Sequence, residues 1–334
     1  MSATALLALL LAAAVAYNLV NGFQDGPSIV ATMIASGAMS ARGALALAAA
    51  CTLAGPALFG QAVAQTLGAE VVAPGVLGVS AAIAAFAAAG LWNAAAWWVG
   101  IPVSSSHALI GGLLGAALAQ GGWQAIQVGG VVKIAVALVV SPLAGFAVAL
   151  AVMHGTRWLL RGATPRANIA LSHAQVATAA AMALANGAND AQKTAGVLAL
   201  GLLLLGFSAE FTVPWWTLAI SASAIALGTM LGGERIVRTL GTRFYRIRPI
   251  HGFSAQLASA MVTAAASIAG GPVSSTQVMS LAIVGSGAAD RASKVRWGAL
   301  SDFGLAWALT VPASALVAMA LQQGLGALAQ QGGG

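Results

Sequence analysis

Two aspartates stand where an apolar sequence should exclude charge. Asp190 lies in Ala185-Asn186-Gly187-Ala188-Asn189-Asp190-Ala191-Gln192-Lys193, inside an apolar run over 176–207. Asp25 lies in Asn21-Gly22-Phe23-Gln24-Asp25, directly after an apolar run over 3–20. Both read Asn-Gly-x-x-Asp, 165 residues apart. Ionisable groups in sequence of hydrocarbon length are costly and mark ion or substrate paths. A carboxylate repels an anion, so Asp25 and Asp190, with Asn189 beside them, suit a co-transported cation or proton, while the neighbouring amides of Asn21 and Asn186 are candidate anion contacts; a buried acid bonded to backbone N–H is the plainer alternative. Lys193, three residues after Asp190, shares its helix face and is either the acid's partner or an anion contact. Hydroxyls form a second pair of motifs, Pro102-Val103-Ser104-Ser105-Ser106-His107 and Pro272-Val273-Ser274-Ser275-Thr276-Gln277. Each opens a short apolar helix. A helix start offers unpaired N–H donors and partial positive charge, and hydroxyls add donors. Two such starts, converging, would cradle a tetrahedral oxyanion; alone, each could simply cap its helix. His107 reads as a helix-start hydrogen bonder or as a proton or substrate group.

The chain around these motifs is built for lipid. Of 334 residues 60% are hydrophobic and 6% charged, a balance that no soluble fold of this size could carry. The net charge of +7 does not mark a nucleic-acid partner, because the arginines sit in short loops between apolar runs. Lone Cys51 offers neither a disulfide nor a metal motif. No Lys or Arg precedes Ala14-Val15-Ala16, so the first apolar run reads as a span rather than a cleaved signal. Spans are expected at 43–67, 76–99, 128–160 with Pro142 inside, 212–231, 253–269 and 294–321 with Pro312 inside. Helices broken at Asn21-Gly22 and Asn186-Gly187 are expected as well, the first resuming at Pro27. Trp97, Trp98, Trp215 and Trp216 read as interface belts. Lys133 reads as snorkelling, Asp302 as pairing with a loop arginine, and Asn93 as an interhelical bond or pathway residue.

The landmarks recur. Pro102 and Pro272, each followed by Val-Ser-Ser, and Pro142 and Pro312 are 170 residues apart. This gives a first transmembrane repeat over 1–156, a basic linker over 157–168 and a second repeat over 169–334. The positive charges alternate between the halves. Arg42, Arg157, Arg161, Arg166, the five arginines over 235–248, and Arg291, Lys294 and Arg296 all fall on one side only if the halves insert oppositely. The fold class is therefore an all-α polytopic membrane protein: two inverted-topology repeats with discontinuous helices meeting at a midplane site. It is placed in the inner membrane with both termini non-cytoplasmic.

At these motifs the chain resembles the inorganic phosphate transporter (PiT) family, especially its bacterial low-affinity carriers. Asn186 to Lys193 looks like the second-half signature of that family. Asn21 to Asp25 with Val30-Ala31-Thr32 looks like the first, and the two Pro-Val-Ser-Ser segments like its Pro-x-Ser repeats. Ile225 to Met230 and Arg235 to Thr239 fit too, so the likeness runs over about 17–315. It implies symport of inorganic phosphate with H⁺ or Na⁺, or of phosphate carried as a neutral divalent-metal complex, without a bound cofactor, resident metal or enzymatic step. The bilayer is the other partner, and the class leaves room for a homo-oligomer and a cytoplasmic regulatory protein. Three departures stand out: Gly26-Pro27-Ser28 replaces a segment that usually carries an amide, Gln24 a His or Asn, and Gln277 a His. Sulfate, carried by some relatives, is the alternative substrate, and an anion channel the less favoured mechanism.

Overall fold

The computed structural model describes residues 2–101, 103–164, 166–232 and 247–331. The expectations for Pro102, for Arg235 to Thr239, for Arg243 and Arg246, and for the side chains of Lys294 and Asp302 lie outside the described residues. Among the described residues there are eleven α-helices and no strand. The first half holds α1 (Ala3–Ala35), α2 (Ala41–Ala54), α3 (Ala62–Ala69), α4 (Val79–Val99), α5 (Ser105–Gly121) and α6 (Val128–Leu159). The second holds α7 (Ala167–Leu204), α8 (Trp215–Met230), α9 (Pro249–Ile268), α10 (Ser275–Arg291) and α11 (Trp297–Gln331). Of the described segments, α1, α4, α6 and residues 303–325 of α11 are long and apolar enough to cross a membrane. The protein is an all-α, multi-pass membrane protein.

Two expectations about helix continuity fail. The single span at 43–67 is in fact α2, continued by a 3₁₀ turn to Ala57, and α3, bent by 76° at a break over 58–61 that contains Gly60 in the left-handed region at φ +69°. The breaks at Asn21-Gly22 and Asn186-Gly187 do not exist: α1 runs for 33 residues and α7 for 38 straight through them, with Pro27 inside α1. The glycines serve close approach instead. A Cβ on Gly22 would lie 2.0 Å from the Ile225 carbonyl oxygen of α8, and one on Gly187 would lie 2.3 Å from that of Thr52 on α2. Their opposite numbers complete the crossings. A Cβ on Gly228 would lie 2.2 Å from the Leu19 carbonyl oxygen and one on Gly55 2.2 Å from that of Leu184, and Leu19 and Leu184 are again 165 residues apart. Small residues let backbones touch where lipid offers no hydrophobic drive for association.

Packing exchanges partners between the halves. α1 lies on α8 while α7 lies on α2; α5 lies on α11 while α10 lies on α6. The true discontinuities fall between α4 and α5 and between α9 and α10. Both α4 and α9 end in a left-handed glycine, Gly100 at φ +80° and Gly270 at φ +74°. The following N–H groups turn back identically, Ile101 to the Ala96 carbonyl at 3.0 Å and Gly271 to that of Ala266 at 2.8 Å. This six-to-one closure satisfies carbonyls that a helix end would otherwise leave orphaned. The next helix then begins after a short tip, so each half presents one hairpin whose tip carries a hydroxyl motif.

Candidate functional site

The two hairpin tips meet each other and the two acid motifs. Asp25, on α1, is 3% exposed. Its Oδ2 accepts from Ser105 Oγ of the first hairpin at 2.6 Å and its Oδ1 from Thr276 Oγ1 of the second at 2.6 Å. One buried carboxylate is thus held by a hydroxyl from each half. Charge-assisted bonds of this kind are short and roughly twice as strong as neutral ones. Ser106 donates to the Val273 carbonyl across the tips at 2.8 Å. Lys193, fully buried on α7, donates to that same carbonyl at 2.9 Å and also to Ser106 Oγ. It forms an ion pair with Asp190 Oδ1, three residues back on its own helix. Asp25 lies within electrostatic reach of both Asp190 and Lys193. Two carboxylates and one ammonium leave this buried cluster with a formal charge of −1.

The serines divide by task. Ser104 Oγ accepts from the His107 N–H at 3.2 Å and Ser274 Oγ from the Gln277 N–H at 3.4 Å, so these two cap α5 and α10. Ser105, Ser106 and Thr276 point into the cluster as described above. The Ser275 hydroxyl is buried without a hydrogen-bond partner, as are Asn21 Oδ1, Asn186 Oδ1 and both oxygens of Asp190 apart from the lysine contact. His107 Nδ1 sits 2.6 Å from Ser104 Oγ and 3.5 Å from Gln277 Nε2, bridging the two tips at their edge. Asn189 clasps the second tip: its Nδ2 donates to Ser267 Oγ at 2.9 Å and to the Gly271 carbonyl at 3.2 Å, and its Oδ1 accepts from the Val273 N–H at 3.1 Å.

Some contributors escaped the motif reading. Tyr17, buried, donates to the Ser105 carbonyl at 3.1 Å, and Asn18 Oδ1 accepts from Thr194 Oγ1 at 2.7 Å, tying α1 to α7. A signal was present: Asn18, Asn21 and Asp25 recur at helical spacing, which argues for one continuous polar stripe rather than a break. Lys133 stands apart from the site, 2.9 Å from Glu70 and from Thr66 Oγ1. The Asn93 carbonyl accepts from Gln24 Nε2 at 2.8 Å, while its buried side chain has no hydrogen-bond partner. Trp98 and Trp215 are exposed as belt residues should be, but Trp97 packs edge-on against Phe23.

With this geometry established, likeness to known proteins places the chain. A model of the phosphate transporter family matches residues 21–170 and 161–318. A protein of Rhizobium meliloti (strain 1021) named probable low-affinity inorganic phosphate transporter is 40% identical over 310 residues, 92% of this chain and 93% of that one. A protein of the same name from Bacillus subtilis (strain 168) is 35% identical over 92% of this chain and 93% of its own length. In three dimensions the chain is similar to a solved structure titled the sodium-dependent phosphate transporter, with a TM-score of 0.89 at 21% identity, covering 96% of this chain and 99% of that one. These relatives are named as transporters, not enzymes. The two buried acid motifs, the paired hydroxyl tips and the matches over nine-tenths of its length agree: the chain belongs to the phosphate transporter family.

Proposed function

We propose that the chain is a cation-coupled symporter of inorganic phosphate, working by alternating access with two oppositely inserted repeats around one shared site. The observation that carries this reading is the pair of hydroxyls on Asp25, one from each hairpin. Those hydroxyls, at helix starts, are the donors suited to an oxyanion. Carboxylate and phosphate therefore compete for the same donors. A proton or cation on Asp25 weakens its claim and frees Ser105 and Thr276 to turn to the anion. Net charge acts in the same direction: a cluster at −1 repels a phosphate dianion and attracts a cation. Cation binding thus raises phosphate affinity, and by linkage phosphate raises cation affinity to the same degree.

The unpartnered oxygens of Asp190, Asn21 and Asn186 are of the kind that hard cations take as ligands. In this reading Asp25, Asp190 and Asn189 serve coupling, with His107 at the edge, while Ser105, Ser106, Ser275, Thr276 and Lys193 face the anion. Ser104 and Ser274 act through the helix starts that they cap. A neutral metal–phosphate complex would avoid the charge penalty and is the second form of substrate. Sulfate has no proton to give a carboxylate near neutral pH, so Asp25 favours phosphate. In this reading Arg157, Arg248 and Arg291 lie at the cytoplasmic face of the inner membrane, with both termini opposite, as the clustering of basic residues in a few loops supports.

Counterflow in proteoliposomes tests the reading. Vesicles loaded with labelled phosphate are challenged with phosphate, sulfate or arsenate, with and without Na⁺ or a pH gradient. Exchange with phosphate that needs Na⁺ or a proton gradient is the expected result. Exchange by sulfate alone overturns the substrate, and current without exchange overturns the carrier mechanism.

A further inference from the structure

A polar cavity lies away from the transport cluster, where α6 ends, α7 and α9 begin and α10 ends. It has a volume of about 440 Å³, within the size range of small-ligand pockets. Arg157 and Arg248 enter it from elements far apart in sequence, beside Thr164 and Asn168, over an apolar floor of buried Met153 and Leu171 with half-buried Leu160 and Ile250 also in its lining. Both guanidiniums contact Asp290: Arg157 Nη1 at Oδ1, 3.3 Å, and Arg248 Nη2 at Oδ2, 3.2 Å. Asp290 is the more enclosed of the three, with 16% side-chain exposure against 48% for Arg157 and 57% for Arg248. The acid therefore sits behind the arginines and aligns them, and these three charges sum to +1. Arg161, Arg166 and Arg291 flank the site in sequence and are exposed. Each guanidinium has five N–H donors. Arg248 spends one nitrogen on Asp290, and Arg157 Nη1 reaches Asp290 and the Ala289 carbonyl, so donors remain on the open side of both.

We propose that this cavity binds a phosphate group, with the headgroup of an anionic phospholipid as the occupant that its apolar floor fits. Two arginines over an apolar floor, at the end of membrane-spanning helices, match an amphiphile: phosphodiester against the guanidiniums, glycerol and upper chains against Leu160 and Ile250. Basic pockets between spanning helices on the cytoplasmic side recognise lipid headgroups in this way. The occupant joins the end of α6 in one half to α9 and α10 in the other, so it braces the two halves on that face.

Native mass spectrometry of the detergent-purified full chain, titrated with phosphatidylglycerol or phosphatidylethanolamine, reads the lipid arm. The thermal midpoint of the delipidated chain with and without inorganic phosphate reads the free-anion arm. The wild type is expected to prefer phosphatidylglycerol by roughly fivefold or more, one arginine's worth of attraction to an anionic lipid. The triple variant R157Q/R248Q/D290N, which removes both cations and their counter-charge together, should lose that preference. Ala163→Phe fills the cavity without touching a charge and should lose it too, while phosphate uptake persists. Unchanged lipid preference in both variants overturns the site. Stabilisation by inorganic phosphate in the wild type but not in the triple variant, without lipid preference, keeps the phosphate site and makes the free anion its occupant. Equal stabilisation of both, without lipid preference, reports only the transport cluster and overturns the proposal.

Discussion

The two acid motifs are copies in sequence and differ in what holds their carboxylates. Asp25 has no cation on its own helix and takes hydroxyls from both hairpins. Asp190 has Lys193 on its own helix, and neither of its oxygens takes a hydrogen bond from a hydroxyl. The difference traces to one position, three residues after each acid. There α7 carries Lys193, while α1 carries Ser28, whose hydroxyl turns back to the Asp25 carbonyl at 2.7 Å. One duplicated motif has thus become a carboxylate with exchangeable partners and a carboxylate with a built-in one. The residue before each acid diverges as well. Asn189 clasps the second hairpin tip by two bonds and Ser267 by a third, whereas Gln24, a methylene longer, reaches past the first tip to the Asn93 carbonyl. Each tip is thus fastened to its own acid helix by different means, the second to α7 through Asn189 and the first to α1 through Tyr17 and Asp25 itself.

This contrast is sharpest in the two Asp→Asn substitutions. Asp190→Asn strands a buried ammonium, and breaking a buried pair from one side costs about 3–5 kcal/mol. A large fall in thermal midpoint is expected, recovered in part by Asp190→Asn with Lys193→Met, which removes both charges; neither variant should show cation-driven uptake. Asp25→Asn strands no partner of that kind. Its midpoint should fall far less than that of Asp190→Asn, by no more than its two hydroxyl bonds contribute, while phosphate uptake loses its dependence on the cation gradient. Equal losses of stability in Asp25→Asn and Asp190→Asn would erase the distinction between the two acids.

Next in size are the hydroxyls. Thr276→Val keeps shape and removes one donor from Asp25, and Ser105→Ala removes the other. Each is expected to shift the cation or phosphate dependence of uptake by roughly tenfold, from about 1.5 kcal/mol per charge-assisted bond. Ser104→Ala and Ser274→Ala, which remove caps, should instead lower the thermal midpoint, by about 1 kcal/mol of stability each, with a smaller effect on uptake. A set in which the capping serines matter more to substrate dependence than Ser105 and Thr276 would reverse the division of tasks.

Much of this site was legible in the chain, and the part that was not has a physical cause. Buried charge in an apolar run singles out Asp25, Asp190 and Lys193 whatever the local backbone does, because burial is costly everywhere in lipid. The paired Pro-Val-Ser-Ser segments announce the hairpin tips, since proline and a left-handed glycine end a helix by local geometry. The Asn-Gly pairs misled because glycine has two uses in a membrane helix. Beside water it breaks helices; between two helices it admits the neighbour's backbone. Which use applies depends on Ile225 and Thr52, on helices distant in sequence, and no reading of residues 21–22 or 186–187 alone contains them. The bend after Ala57 was hidden for another reason: the left-handed turn at Gly60 is local, but a run over 43–67 has the length of one span, and length alone does not separate a straight span from a bent one.

The finest test concerns the clasp. Asn189→Ala removes two hydrogen bonds from the second tip and one from Ser267 at the end of α9, and unmet partners at the Gly271 carbonyl and the Val273 N–H cost about 1–3 kcal/mol each when buried. That tip should then open to hydrogen exchange at Val273 well before the first. Gln24→Ala removes a single bond to Asn93 and should leave both tips as protected as in wild type, with about 1 kcal/mol or less of stability lost. Gln24→Asn goes further, because it places on α1 the side chain that α7 carries at the equivalent position. If side-chain length alone separates the two tips, this variant fastens the first as Asn189 fastens the second, and amide exchange at Val103 slows. A tip that is fastened on both sides has less freedom to move around the site, so the same variant should slow phosphate turnover by a few-fold while leaving substrate affinity unchanged. Unchanged or faster exchange at Val103 would show that the looser hold on the first tip lies in its own sequence rather than in Gln24, and slower exchange with unchanged turnover would show that this tip's freedom does not limit transport.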